Sequence, residues 1–364
     1  AIVIGAGHNG LTNAAYLAKS GLKVTVLEKN DYIGGAAVSR ELHDGWTYSN
    51  CSYVCSLLRP EIYRDLNLQK HGLQVLAYGG SATFMKNGDM FGGYSDHDVA
   101  RREIGRFSKK DADAYERFSR DVSRQCRFIK PLLLRTPPDP TSFKPKDLSE
   151  LLFLFKRLYG LGEQTIYDTI RFYTMSVAEY LEQYFESDVV KAALSGSGII
   201  GTGLGPYSPG TAYVLLHHYM GEVDGNIGSW GFARGGMGAV SDALAGALKE
   251  HSGEIKTNAE VSQIIVKNRR ATGVVLANGD EHYAKNIVSN LDVKRTYQKL
   301  FDQNDLNEKI IKQVDNFKIR GSSGKLNIAL DGLPEFPAMG KNNPLMTADM
   351  HFIDSLERIE KAYD

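Results

Sequence analysis

Short β-branched runs and helical periods alternate along much of the chain. Residues 1–4 form a compact apolar run, which predicts a strand buried on both faces. Across 11–20, Leu11, Ala14, Ala15, Leu17 and Ala18 recur at helical spacing, and Gly21 stands where helices end in the left-handed conformation. Residues 23–27 predict a second strand. Segments 82–85 and 90–94 flank Asn87-Gly88 as a hairpin. A long helical period covers 111–134, and the prolines of 136–140 break it. Residues 235–251 read as a loop leading into a helix, and 254–267 as one strand. A meander follows over 271–277 and 282–283 about Asn278-Gly279, and 286–290 re-enters a sheet.

The 148–159 segment is a strongly apolar helix with Lys156 and Arg157 near its end. Soluble proteins routinely bury such faces, so the first expectation is a core or interdomain helix. Lining of a greasy substrate tunnel and a peripheral membrane contact are the alternatives.

The first strand runs directly into Gly5-Ala6-Gly7-His8-Asn9-Gly10, in G-x-G-x-x-G spacing. In this context Gly5 allows the tight turn, Gly7 lets backbone approach a pyrophosphate, and Gly10 lets the helix pack close to the sheet. The first-turn amides and the helix dipole favour bound phosphate. Glu28 ends the second strand 18 residues past Gly10, where a carboxylate accepts from ribose hydroxyls and repels a 2′-phosphate. Strand, helix, second strand and acid in register predict a dinucleotide site, and the acid argues against NADP there. A second match, Gly196 to Gly201, follows a helical segment and is soon followed by Pro206 and Pro209. It is read as a loop near the substrate.

The 364 residues balance 43 Lys and Arg against 43 Asp and Glu, which gives no electrostatic reason to bind nucleic acid. Three cysteines, Cys51, Cys55 and Cys126, argue against a disulfide scaffold and for a reducing compartment. No apolar run approaches the ~20 residues that span a bilayer. The expected localisation is cytoplasmic, or the mitochondrial matrix in a eukaryote. The chain opens on Ala1 inside a strand, so a few leading residues are expected to be missing.

Several segments carry a family resemblance. They are Lys29-Asn30-Asp31-Tyr32-Ile33-Gly34-Gly35-Ala36-Ala37-Val38, Ser52 to Pro60, Gly205 to Tyr213, His217 to Glu222, and Gly235 to Leu244. The chain resembles the phytoene-dehydrogenase-related flavoproteins of the superfamily that holds amine oxidases and carotenoid desaturases. That family carries an acid, a short loop and a glycine doublet usually followed by Arg; here Ala36 replaces the Arg. The resemblance implies an α/β fold, with a Rossmann-like FAD-binding domain of 1–70 and 230–300. An interleaved α+β substrate domain of 71–229 and 301–364 is implied beside it. The family's closing glycine-rich segment is not among these residues, so a C-terminally truncated chain is expected.

The resemblance implies FAD as cofactor, with hydride passing from an organic substrate, a lipophilic one among the candidates, to flavin N5. The electron acceptor is left open between O₂ and a quinone. It sets Lys29, Gly34, Gly35 and Ala36 beside the cofactor, Asn50, Cys51 and Ser52 on the flavin side, and the Val261 backbone against the adenine. His217 and His218 are the candidate proton carriers; as helix neighbours they point apart and make no compact metal pair. Two rivals remain. One is a non-catalytic dinucleotide-binding or regulatory module. The other is a flavin disulfide reductase using Cys51 and Cys55, disfavoured because no second nucleotide site is visible.

Overall fold

The computed structural model describes all residues except 161 and 322. The chain forms two compact units. The first comprises Ala1–Ala77, Trp230–Arg320 and Gly324–Asp331; the second comprises Tyr78–Ser229, Gly321–Ser323 and Gly332–Asp364.

Four parallel strands organise the first unit. β1 (Ile2–Ile4) lies between β2 (Thr25–Leu27) and the strand Ile287–Ser289, and β2 pairs on its far side with Glu254–Lys256. Val3 is in register with both Val26 and Val288. Because successive side chains point to opposite faces, each strand feeds two cores. Val3 and Val26 join Leu11, Ala14 and Ala15 of α1 (His8–Lys19) and Leu244 and Leu248 of the helix Gly238–Glu250. Burying a leucine such as Leu11 contributes roughly 1.5–3 kcal/mol. Ile2, Ile4 and Leu27 point the other way, onto Val261, Ile264 and Val274 of an antiparallel sheet. That sheet is made of Val261–Lys267, Arg270–Leu276 and Glu281–Tyr283.

The single strand expected over 254–267 is in fact two strands in two sheets. Asn258 takes a left-handed φ of 51°, which Asn tolerates better than most residues. Its amide donates to the Asn30 carbonyl at 2.9 Å, and the Ala259 amide donates to the Glu28 carbonyl at 2.8 Å. These bonds lead the chain out of the parallel sheet. α1 also starts earlier than expected, at His8, which brings Gly10 inside its first turn.

The unit boundaries differ from the sequence expectation at 71–77, 301–320 and 324–331. Residues 71–77 lie in the first unit because Val75–Ala77 pairs with Gly231–Ala233. Residues 301–320 lie there too, where the Gln298 amide donates to Asp315 Oδ1 at 2.7 Å.

In the second unit, the expected hairpin forms from Gly80–Phe84 and Met90–Tyr94, and Asp349–His351 adds a parallel strand to it. Helices surround Phe118 of Lys109–Ile129, whose ring meets Phe185 edge-on at 5.2 Å. Asp111 is fully buried and accepts from the amides of Glu186 and Ser187 at 2.8 and 2.9 Å. The apolar helix Pro145–Tyr159 is not a core helix, for none of its residues is buried. No helix among the described residues is long and apolar enough to cross a membrane.

Candidate functional site

The glycine loop after β1 is held by close backbone contacts. A Cβ on Gly10 would come 2.3 Å from the Gly5 carbonyl oxygen, so the first turn of α1 lies directly on the loop. Gly34 forms a bridge with Gly7, and its amide donates to the Ala6 carbonyl at 2.9 Å. Gly34 adopts φ of 115°, and a Cβ there would lie 2.5 Å from the Ala37 oxygen. A Cβ on Gly35 would sit 3.0 Å from the Gly7 Cα. The two glycine stretches found in the sequence therefore form one surface, and side chains are excluded by backbone.

The N-terminus of α1 opens at this surface. Gly7 provides no side-chain cap, and the first turn carries no acid. Helix geometry leaves the amides of His8, Asn9 and Gly10 without intrahelical acceptors. His8 Nδ1 is buried and has no partner among the described residues. Asn9 is exposed. Unsatisfied donors, a helix dipole and a floor that admits no Cβ suit a diphosphate.

Glu28 is 7% exposed and does more than the spacing suggests. Its Oε2 accepts from the Ala6 amide at 2.8 Å, and its Oε1 accepts from the amide and side-chain nitrogens of Asn30 at 3.0 and 2.8 Å. An ionised carboxylate offers about four acceptor positions, so roughly one remains for a sugar hydroxyl. The acid thus fixes the loop as well as facing the site. Lys29 is exposed beside it. Val261 is buried with its side chain in the core, in register with Leu276. The turn at 258–259 hydrogen-bonds to Asn30 and Glu28, which brings this segment alongside the tip of β2.

Residues 50–52 run beside the chain that follows the glycine doublet. The Asn50 amide donates to Val38 at 3.1 Å and the Ser52 amide to Ala36 at 3.0 Å. Ala36 is exposed, and Asn50 Oδ1 is buried without a partner among the described residues. Cys51 is exposed, Cys55 is buried, and both are free. Burial pushes the Cys55 thiol up, which opposes the thiolate character a redox cysteine needs.

Four residues that local patterns did not reveal belong to this region. Asn290 Nδ2 would lie 2.9 Å from a Cβ on Gly7. Ser39 Oγ accepts from the Gly238 amide at 2.9 Å, and Ser49 Oγ from the Met237 amide at 3.0 Å. Lys325 Nζ donates to the Ser49 carbonyl, and burial lowers its pKa. All four are brought in by contacts remote in sequence, which no spacing rule announces.

His217 and His218 sit on the helix Thr211–Tyr219 in the second unit. Their ring planes stand 88° apart, with centroids 5.7 Å from each other. His218 is buried with Nδ1 2.9 Å from the Val214 carbonyl oxygen. Burial, and then the adjacent His218, hold the His217 pKa below its ordinary value. In the same unit, Gly196–Gly198 is one short 3₁₀ turn, where a Cβ on Gly198 would meet Val177 at 2.8 Å. Packing explains that glycine.

Residues 10–343 match the model of the flavin containing amine oxidoreductase family. The chain is 36% identical over 358 residues to the mouse pyridine nucleotide-disulfide oxidoreductase domain-containing protein 2, covering 93% of this chain and 61% of that protein. It is 27% identical over 310 residues to the neurosporene-forming phytoene desaturase of Rhodobacter capsulatus, covering 84% and 55%. A putrescine oxidase redesigned in its cofactor binding superposes with a TM-score of 0.53 at 16% identity, covering 86% of this chain and 62% of that one. That likeness shows the fold alone. The expected phytoene-dehydrogenase-related resemblance, the α/β flavoprotein fold and FAD as cofactor are all borne out. The chain belongs to the flavin-containing amine oxidoreductase family.

Proposed function

We propose that this chain is the FAD-binding part of an oxidoreductase that takes hydride from an organic substrate, and that the first unit carries the cofactor. The observation that carries this reading is the open N-terminus of α1, set on a glycine floor beside the buried Glu28. The amides of His8, Asn9 and Gly10 hold the pyrophosphate. Glu28 accepts from a ribose hydroxyl while its other positions hold Ala6 and Asn30 in place. Gly34, Gly35 and Ala36 pass along the cofactor, and the buried Asn50 Oδ1 takes a donor from the flavin side. The Val261 backbone lies toward the adenine. When bound, FAD supplies hydride acceptance at N5.

The substrate is a lipophilic molecule in this reading, and dehydrogenation resembles that of the carotenoid desaturases. Support comes from the helix Pro145–Tyr159. It exposes Leu148, Leu152, Phe155 and Tyr159 in one stripe, with Lys146 and Lys156 on the same helix. Such a stripe suits a peripheral lipid contact. His217, whose pKa burial lowers, and its neighbour His218 are the proton carriers in this reading. O₂ or a quinone takes the electrons.

The test is direct. Purified chain is incubated with FAD, passed through a desalting column and examined for flavin absorption. It is then mixed anaerobically with amines and with polyenes, and reoxidised with O₂ or a quinone. Retained flavin that a polyene bleaches supports the reading. Protein that takes up no flavin removes it, and bleaching by amines alone replaces the lipophilic substrate with an amine.

A further inference from the structure

We propose that the second unit binds a phosphate-bearing anion in an arginine-lined groove on the helix Lys109–Ile129. The groove is open to solvent, offers about 650 Å³ and is lined by Arg120, Arg124, Arg127 and Arg157, with Glu116 as its one carboxylate and Ser123 as a hydroxyl donor. Glu116, Arg120, Ser123 and Arg127 follow at intervals of four, three and four residues, which places them on one face of the helix.

The internal acceptors do not satisfy these cations. Glu116 meets Arg120 at 3.1 Å, but both side chains are more than 60% exposed. Arg124 reaches Asp121 only at 3.9 Å. Arg127 makes no ion pair among the described residues. Arg157 arrives from the helix Pro145–Tyr159 and is fixed by Nη2, which donates to the carbonyls of Arg127 and Phe128 at 3.1 and 3.3 Å. Its Nε is buried and has no partner among the described residues. A buried donor left without an acceptor is costly, and gathering four guanidinium groups adds like-charge repulsion. A multivalent oxyanion in the groove offsets that repulsion. Planar guanidinium forks match phosphate oxygens in pairs, and a groove of this size accepts a diphosphate or a larger phosphate ester. The phosphate belongs either to a free phosphorylated molecule or to a lipid headgroup.

Calorimetric titration of the FAD-saturated chain with inorganic pyrophosphate tests the site. The Arg124→Ala/Arg127→Ala variant is run in parallel; both side chains are exposed, and an unchanged melting curve confirms its fold. We expect pyrophosphate to bind the wild-type chain at least tenfold more tightly than the variant, with affinity falling as salt rises. Arg157→Gln is expected to weaken binding in the same direction. Flotation with phosphatidylcholine vesicles, with and without phosphatidic acid, distinguishes the source. Flotation only with phosphatidic acid, reversed by pyrophosphate, assigns a headgroup; pyrophosphate binding without flotation assigns a free phosphate. Binding that survives the double substitution belongs elsewhere on the chain and overturns the proposal, as does no binding at all. Neither result bears on flavin uptake, which is read separately by absorption.

Discussion

Two helices of the first unit begin in glycine-rich loops, yet their ends are finished differently. At α1 the loop Gly5–Gly10 leaves the first-turn amides without side-chain acceptors. At Gly238–Glu250 the loop Gly235-Gly236-Met237-Gly238 is closed from outside, by Ser49 on the Met237 amide and Ser39 on the Gly238 amide. Both loops need glycine: a Cβ would strike backbone at Gly10 and the Ser39 hydroxyl oxygen at Gly236, 2.4 Å away. Glycine content therefore does not make an anion site. What separates them is whether the fold has already used the amides. The second terminus is fastened to the 39–49 hairpin, and the first carries no side-chain cap.

Substitutions can break or sharpen this contrast. The largest effect is expected for Gly10→Ala, whose methyl group meets the Gly5 carbonyl. Overpacking of this kind costs about 1–3 kcal/mol, and here it also displaces the phosphate floor. Flavin absorption after desalting should be lost and the melting temperature lowered; unchanged uptake would show that this floor holds no phosphate. Next comes Glu28→Ala, which strands the Ala6 and Asn30 donors. Lost hydrogen bonds to a charged group predict destabilisation of about 2–3 kcal/mol in urea melts, with weaker FAD binding by titration. Loss of affinity without loss of stability would leave Glu28 with the sugar role alone.

Ser39→Ala and Ser49→Ala should each cost about 1 kcal/mol, as lost helix caps do, while FAD affinity changes far less than for Gly10→Ala. An equal loss of affinity at both helix ends would erase the distinction. The smallest expected difference lies between cysteines. Burial raises the Cys55 thiol and pushes Cys126 up to about 12, so both stay protonated at mildly alkaline pH. Alkylation of native protein near pH 8, read by peptide mass, should mark the exposed Cys51 and spare the other two. Labelling of Cys55 should grow as pH rises towards its elevated pKa, and rapid labelling at pH 8 would show an opening of the 50–55 segment.

The α1 site was readable because its determinants are local. Gly5, Gly7, Gly10 and Glu28 fall within one βαβ unit, where fixed strand and helix geometry converts spacing into position. The contacts of the other helix end were not readable, for Ser39 and Gly238 are joined only after the chain has left and returned. The split of 254–267 was hidden for a related reason. Both halves have strand-like composition, and only the Asn258 turn, held by Asn30 and Glu28, sends them into different sheets. Periodicity found the helix over 148–159 but not its surroundings: an apolar stripe reads the same whether protein covers it or not. Lys325 sits in a stretch without regular structure, so no pattern marked it.

The position of β1 has a consequence for synthesis. Ile2 pairs with Ile287, so one side of β1 stays without its strand partner until a segment 285 residues further along the chain has been made. The nucleotide fold therefore waits for a closure of very long range. Holo-protein yield should then respond less to flavin supplied early in translation than to whatever shields that apolar edge in the interval.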